Sequence, residues 1–347
     1  MSNYPLSYKI SWPLRFLRPS VAGRADGFLP EQADFLPPPA SSVRLAFVGD
    51  ISAVANRRPP ECDAQLATLL ASADLVVGNC ESPVVAKPRA GLRTRLGTHH
   101  AMTSEFLAGA VAAVGIEPSR FVVSLANNHV LDQGIEGYDE TLAALAGLGI
   151  RTIGTKAGLT SVTVGSLRVG FAAFTQWRNA DAVSFAGRAV MADEFFAARG
   201  NGSGSAADVD LMCVVPHWDW EFRHFPREST RALALRLAEM GAGLVVGHHA
   251  HVVQPVERIG ETVVAYGLGD FLGTAFARQP WPGRIGAILV VEVSADDATR
   301  GRIASIRMVP FYRQRDGDRE RLFPLEAVSG SLGAKAQTRW ATIFGPS

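Results

Sequence analysis

Cysteine is scarce in this chain. Its three cysteines, Cys62, Cys80 and Cys213, lie far apart in the sequence. Thiols so few and so scattered provide neither a disulfide framework nor a CxxC zinc site. A reducing compartment is the simplest environment for such a chain, so we expect a cytoplasmic protein.

The chain also lacks a net charge of either sign and a long apolar segment near its start. Its 34 basic and 33 acidic residues give a net charge of +1, so no overall field recruits nucleic acid or an anionic membrane. Residues 1–20 are interrupted by Pro5, Pro13 and Pro19, unlike a signal peptide or a membrane span. We therefore expect no nucleic-acid partner and no membrane partner.

Proline is concentrated at the start of the chain. Residues 1–42 carry seven prolines, which disfavour regular helix and central strand. This segment is predicted to be an arm that wraps the domain surface. Hydrophobic residues make up 47% of the 347 positions, which is ample material for a core in the remainder.

From Val43 onward, short apolar runs alternate with segments of helical periodicity. Such alternation favours an α/β layered domain. After Gly286, two strand-like runs follow each other without a helix, so the C-terminal part is expected to be more antiparallel. Residues 200–205 are predicted to form a flexible surface loop. Helices are predicted near 61–71, 103–114, 134–148 and 228–240.

Three of the eight histidines fall within residues 247–251. They follow an apolar run at 243–246 that is predicted to be a buried strand. His249 and His251, two positions apart, are expected to point to the same side of an extended segment. Two imidazoles aimed at one point suit a borderline transition metal. The alternative is a set of packed, hydrogen-bonded histidines.

Polar residues follow five of the predicted strands. In open α/β sheets the ligand crevice lies outside the carboxyl ends of the strands, so these tips are predicted to converge. Each alone has a simpler interpretation as a turn or a packed core residue. Together they offer the oxygen and imidazole ligands that suit zinc, manganese or iron. The tips carry Asp50, Asn79 with Glu81, Asn127 to His129, His217 to Asp219, and His248 to His251.

An ordered series of motifs resembles the CapA-type poly-γ-glutamate capsule biosynthesis family, which is similar to the calcineurin-like metallophosphoesterases. The resemblance covers about residues 43–312. It implies an α/β fold, a two-sheet β-sandwich flanked by helices (α/β/β/α), and a C-terminal extension at 313–347. The motifs are Gly49-Asp50, Gly78-Asn79-Cys80-Glu81-Ser82-Pro83, Ala126 to Gly134, His217-Trp218, Gly247-His248-His249-Ala250-His251 and Tyr266 to Phe271.

The resemblance further implies one or two divalent transition metal ions at the strand ends, with manganese, zinc or iron as candidates. Carried over by position, Asp50 would bind one metal, and Asn128 and His217 a second. His249 and His251 would be further ligands, distributed between these two metals.

His129 resembles the histidine that protonates the leaving group or stabilises developing charge. Asp132, three residues on, has two open interpretations. It could orient His129 as a supporting carboxylate, or it could cap the helix predicted to start near Gly134.

Several positions depart from the related patterns. Metallophosphoesterases have histidine where Ser52 stands, and they use aspartate as the bridging ligand after the second strand. Here only Glu81, and not Asn79, is anionic, so we expect Glu81 to take that role. One metal site would then have fewer protein ligands than usual.

Three further interpretations stay open. Asp270 stands in place of the usual asparagine; it would strengthen cation binding and repel phosphate, or it is a solvated turn residue. His248 is a ligand or a supporting residue. His99 and His100 are expected in a surface loop, and the stretch 87–100 could instead close over an anionic substrate.

Three functions are open on this basis, with a small-molecule or peptide-like substrate for the enzymes. The first is hydrolysis of an amide bond, with a γ-glutamyl bond as the candidate, by a metal-activated water. The second is phosphoester hydrolysis. The third is a non-catalytic component that binds a polyanion or a partner enzyme in a biosynthetic pathway.

Overall fold

The structure is a computed structural model that describes residues 2–345 except 55, 57, 90–98, 157, 201–207 and 274–278. The predicted loop at 200–205 therefore lies almost wholly outside the described residues. So does most of the predicted substrate-covering stretch 87–100.

Two sheets form the centre of the fold. The larger contains β1 (Gln32–Asp34), β2 (Ser42–Ile51), β3 (Glu61–Cys62), β4 (Leu75–Cys80), β5 (Phe121–Ser124), β6 (Arg151–Ile153), β13 (Asp270–Leu272), β14 (Ile285–Ser294), β15 (Ile303–Asp316) and β16 (Arg319–Pro324). Its order is β3-β16-β15-β14-β2-β4-β5-β6, with β1 on β15 and β13 on β2. The smaller contains β7 (Thr160–Val164), β8 (Leu167–Thr175), β9 (Leu211–His217), β10 (Leu244–Val246), β11 (Val256–Ile259) and β12 (Thr262–Ala265), in the order β11-β12-β10-β9-β8-β7.

Helices cover the outer face of each sheet. The helices are α1 (Leu6–Leu17), α2 (Ala64–Ala71), α3 (Ser104–Ala113), α4 (Gly134–Gly147), α5 (Ala182–Phe185), α6 (Ala192–Gly200), α7 (Glu228–Glu239) and α8 (Gly330–Phe344). Apolar residues of α2, α3 and α4 pack on the larger sheet. Those of α6 and α7 pack on the smaller one. The predicted α/β/β/α sandwich is confirmed.

Strand β2 illustrates why the apolar runs are continuous. Its side chains alternate between the two faces of the sheet. Leu45 and Phe47 point into the core between the sheets, whereas Ala46 and Val48 point towards the helices. Because both faces are buried along this stretch, the four consecutive residues from Leu45 to Val48 are all apolar, as expected for strands at the centre of a layered fold.

Strand direction brings the polar tips together. Strands β2, β4 and β5 run parallel in the larger sheet, and β8, β9 and β10 run parallel in the smaller one. Their carboxyl ends therefore lie at one edge of each sheet. Strands β14 and β15 pair antiparallel, which confirms the prediction for the chain after Gly286.

The expectation that proline keeps residues 1–42 free of helix is wrong for Leu6–Leu17. Pro13 lies inside α1, where it removes a backbone donor. Tertiary packing outweighs this cost: Trp12 and Phe16 make edge contacts with the ring of Phe222, at 5.8 and 5.3 Å between centroids.

Across the described ranges, no helix combines the length and apolar character needed to cross a bilayer.

The predicted C-terminal extension contributes to the central core. Strand β15 passes through position 313, and Ala336, Trp340 and Ile343 of α8 belong to the apolar cluster between the sheets. The indole nitrogen of Trp340 also donates a hydrogen bond to Glu31. The last helix is thus part of the layered structure.

We expect Trp340→Ala to lower the free energy of unfolding by about 3–5 kcal/mol, because it leaves a cavity in the core. Lys335→Ala, at an exposed position of the same helix, should stay within about 0.5 kcal/mol of the parent. Denaturant unfolding measures both. Equal effects of the two substitutions would show that α8 is not part of the core.

Candidate metal centre

Two glycines allow the strand ends to approach each other. A Cβ atom at Gly49 would lie 1.8 Å from the carbonyl oxygen of Gly269, and one at Gly247 would lie 2.0 Å from the carbonyl oxygen of Tyr266. Only glycine fits such contacts. The first lets β2 pair with β13 beside Asp50. The second lets the chain turn after β10 into the histidine cluster.

The histidine cluster is not extended, which corrects the sequence-based geometry. The backbone of His248 still pairs with that of His217, at the end of β9, in a parallel β-bridge. His249 and His251, by contrast, have φ values of 87° and 52°. Positive φ is uncommon outside glycine and is concentrated at functional sites. The two imidazole centroids lie 6.1 Å apart. They converge because the loop turns, and not because the residues alternate along a strand.

Asp50 is the buried carboxylate at the centre of the site. Its Oδ1 accepts a hydrogen bond of 2.7 Å from the Asn79 amide, and its Oδ2 accepts one of 3.1 Å from the backbone nitrogen of His249. The Nδ1 atom of His248 lies 3.2 Å from Oδ1. Burial would raise the pKa of Asp50, but the close contact with His248 and the charge of His251 hold it below its usual range.

A second group of predicted residues meets at His217. Its Nε2 atom lies 2.7 Å from Asn128 Oδ1 and 3.4 Å from Glu81 Oε1. Its Nδ1 atom lies 3.2 Å from the Asn79 amide nitrogen. The amide of Asn127 donates to Asn79 Oδ1 at 3.2 Å, which fixes the orientation of Asn79. Three strand tips of two different sheets are thus in direct contact.

His249 has the properties of a metal ligand. The residue is fully buried, and within the described part of the chain neither ring nitrogen has a hydrogen-bond partner. Burial lowers the pKa of the imidazole well below its usual value, and the neighbouring His217 and His251 lower it further. A neutral ring therefore presents a free lone pair on whichever nitrogen carries no proton. Glu81 Oε1 likewise has no hydrogen-bond partner among the described residues.

These residues fit a divalent metal ion, because buried polar atoms without partners are costly and need a ligand to satisfy them. In each of three sets, the candidate ligand atoms lie within 4.8 Å of one another. Neutral imidazole and carboxylate are ligands for zinc, manganese and iron. The sets are Glu81, His217 and His249; Glu221, His249 and His251; and Asp50, His251 and Asp270.

Glu221 is a candidate ligand that sequence reasoning missed. Its Oε1 lies 3.9 Å from His249 Nε2, and its other oxygen accepts a hydrogen bond from Trp12 of α1. Its position four residues after His217 was the available signal. The nearer acid, Asp219, instead forms an ion pair of 2.6 Å with Arg227.

Asp270 is buried, so its interpretation as a solvated turn residue is wrong. Its Oδ1 lies 2.6 Å from His251 Nδ1, and its Oδ2 accepts a hydrogen bond of 2.8 Å from Arg313. The Ser52 hydroxyl lies within hydrogen-bond distance of both Asp270 and Glu81, at 3.3 and 3.2 Å, and its one proton can be donated to either. Burial lowers the pKa of His251, but the carboxylates of Glu81 and Asp270 outweigh it and raise the pKa well above its usual value. The ring must lose a proton before it can bind a metal.

His129 lies at the edge of the cluster, next to Asn128. Its Nδ1 atom is 2.6 Å from Asp132 Oδ2, while the residue at the N-cap of α4 is Gln133. The structure thus places Asp132 against His129 and not at the cap. Burial would lower the pKa of His129, but the charge and hydrogen bond of Asp132 raise it overall.

His100 corrects the expectation of a surface loop. It is buried, and its ring stacks on that of His129 with 3.7 Å between centroids. Its backbone nitrogen also donates to Asp132 at 2.7 Å. A histidine beyond the strand tips therefore fixes one side of His129, and nothing in its local sequence indicated that contact.

Tyr4 covers the centre from the N-terminal segment. Its ring stacks on Trp177 at 4.9 Å and on Tyr8 at 4.6 Å, and lies 6.2 Å from the ring of His249. Burial and the charge of Glu221 raise the pKa of the Tyr4 hydroxyl well above its usual value. Nothing in the sequence of the proline-rich arm indicated that Tyr4 would lie over the histidine cluster.

We expect His249→Ala to weaken the binding of divalent metal at least tenfold, because it removes an unprotonated buried imidazole, and tenfold equals roughly 1.4 kcal/mol. His224→Asn is the matched control. His224 is also buried, but its Nδ1 bonds to the Val253 carbonyl at 2.8 Å, a bond that an amide can replace. Metal analysis after dialysis checks both variants. Parent protein without metal, or equal loss in both variants, would contradict the site.

Sequence comparison finds relatives of this chain among bacterial capsule synthesis proteins. The profile of the family described as "Bacterial capsule synthesis protein PGA_cap" matches residues 44–275. The capsule biosynthesis protein CapA of Bacillus anthracis is 28% identical over 217 residues, which are 58% of this chain and 51% of that protein. A probable polyglutamine synthesis accessory protein of Mycobacterium tuberculosis is 27% identical over 248 residues, covering 63% of this chain and 64% of that protein. The chain thus spans about half to two thirds of these relatives.

Among solved structures, a putative 5'-nucleotidase of Staphylococcus aureus aligns with a TM-score of 0.50 at 13% identity, over 86% of this chain and 58% of that one. The likeness supports a metallophosphoesterase-like fold. The family profile extends from β2 to just beyond β13 and so includes the predicted metal ligands from Asp50 to His251. The chain belongs to the bacterial capsule synthesis protein PGA_cap family.

Proposed function

We propose that the protein is a metal-dependent hydrolase that cleaves an amide bond, with γ-glutamyl amides as the candidate substrates. The observation that carries the proposal is the buried His249 ring beside Oε1 of Glu81: among the residues that the structure describes, neither the two ring nitrogens nor this oxygen has a hydrogen-bond partner. The predicted ligands are Asp50, Glu81, Asn128, His217, His249 and His251. A divalent ion held there would lower the pKa of bound water towards about 7 and polarise a carbonyl oxygen.

His129 is the candidate proton donor. The charge and hydrogen bond of Asp132 raise the pKa of the His129 imidazole and so favour its protonated form, and Asp132 at 2.6 Å fixes the orientation of the ring. A positioned imidazolium can protonate the leaving amine as the C–N bond breaks. Asp132 acts only through His129 and is a positioning residue.

The charge balance supports a neutral amide over a phosphate. Carboxylates of Asp50, Glu81 and Glu221 lie at the cluster and attract a cation, and they repel a dianion. The printed names of the relatives, which refer to capsule and polyglutamine synthesis, support a γ-glutamyl substrate. The three free cysteines support a cytoplasmic setting.

Phosphoester hydrolysis remains the second candidate because of one contact. Arg313 is buried and bonds to Asp270 at 2.8 Å, so the charge expected to repel phosphate is largely neutralised. The oxygen ligands of the cluster suit either reaction.

Incubation of the metal-loaded protein with γ-glutamyl oligomers and with an aryl phosphate separates the two reactions. We expect release of γ-glutamyl products, little turnover of the phosphate, and loss of activity after chelation that added manganese, zinc or iron restores. Preferential turnover of the aryl phosphate would favour the second candidate. Binding of the oligomers that survives chelation, without cleavage, would indicate a non-catalytic component.

We expect His129→Gln to lower kcat by about 10²–10⁴, because glutamine cannot donate the proton. The content of bound metal should stay at the parent level, since His129 belongs to none of the three ligand sets. His217→Ala is the comparison variant, in which metal and activity should fall together. A His129→Gln protein of full activity would exclude His129 as the proton donor.

A further inference from the structure

The outer face of α1 exposes four large aliphatic side chains. The exposed fractions are 72% for Leu6, 71% for Ile10, 66% for Leu14 and 65% for Leu17. With about 100° of rotation per residue, these positions fall within an arc of about 80°. They form one continuous stripe, which we call the α1 stripe.

The α1 stripe is not the face by which α1 docks on the domain. The opposite face carries Tyr8 and Arg15, which are buried, and Trp12 and Phe16, which pack on the apolar cluster around Phe222. Other exposed large apolar residues in the described chain, such as Val183 and Leu235, stand on separate helices. A contiguous exposed apolar patch marks a binding surface more often than single residues do.

The charged residues of the segment that carries the stripe are all of one sign. Residues 2–25 contain Lys9, Arg15, Arg18 and Arg24 and no aspartate or glutamate. Lys9 lies on one flank of the stripe and Arg18 at the helix end on the other; both are exposed, as is Arg24. The near-neutral charge of the whole chain conceals this local excess.

We propose that the α1 stripe docks on the surface of an anionic lipid bilayer. An amphipathic helix with aliphatic residues on one face and basic residues beside them lies in the plane of the interface, where burial of the apolar side chains and attraction to acidic headgroups add together. The complementary charge favours an anionic lipid surface over a second copy of this chain, which would bring the same basic residues together.

The test is co-sedimentation of the full chain with vesicles of phosphatidylglycerol, and with phosphatidylcholine for comparison. We expect binding to the anionic vesicles that weakens as salt is raised, and at least tenfold weaker binding to phosphatidylcholine. Lys9→Gln and Arg18→Gln should each weaken binding by about fivefold. Both residues lie outside the metal centre, so metal content and hydrolase activity should not change.

The variant Ile10→Gln/Leu14→Gln removes the middle of the stripe with good helix formers. It should bind anionic vesicles at least tenfold more weakly than the parent. Val183→Gln/Leu235→Gln is the matched control, because it removes two exposed aliphatic residues elsewhere and should bind as the parent does. Circular dichroism and thermal unfolding verify that the variants fold.

Absence of parent binding to phosphatidylglycerol vesicles would overturn the proposal, as would equal loss of binding in the stripe variant and its control. Sedimentation velocity without lipid tests the alternative occupant of the α1 stripe, a second copy of this chain. Self-association that Ile10→Gln/Leu14→Gln abolishes, with no vesicle binding, would assign the stripe to contact between copies of the chain.

Discussion

The bonding of the buried Asp50 carboxylate is the constraint on which the rest of the site depends. One oxygen accepts from Asn79 of the larger sheet and the other from the backbone of His249, which follows the smaller sheet. A buried carboxylate needs such donors to remain ionised. The bond from Asn79 fixes Asp50 within the larger sheet, and the bond from His249 joins this sheet to the end of the smaller one and holds the positive-φ turn that orients the His249 ring.

A chain of compensated charges extends outward from this carboxylate. His251 contacts Asp270, which contacts Arg313, which in turn pairs with Glu320 at 3.1 Å. Each member is buried and would be costly alone. As a result, the orientation of a candidate ligand depends on β15 and β16, strands far from the histidine motif in sequence. Loss of such an outer contact typically lowers metal affinity or activity by about 10–100-fold.

Much of the architecture and the convergence of the strand tips could be predicted, because parallel strands that are apolar throughout end at a common edge. Loop conformation could not. The turn at His249 and His251, the ring contact of His100 with His129, and the approach of Glu221 arise from tertiary packing between distant segments. Helix α1 was missed for a related reason: local propensity opposes it at Pro13, and aromatic packing on the domain stabilises it.

The placement of Tyr4 has a consequence for access to the centre. Tyr4 and the exposed aliphatic residues of the α1 stripe belong to one short segment. When this segment is docked on the domain, Tyr4 covers the histidines and the α1 stripe faces outward. Local opening of such a segment is an equilibrium set by few contacts. A molecule that binds the α1 stripe shifts this equilibrium if its affinity differs between the docked and the open positions of the segment. Access to the centre and occupancy of a remote surface are then thermodynamically linked, in both directions.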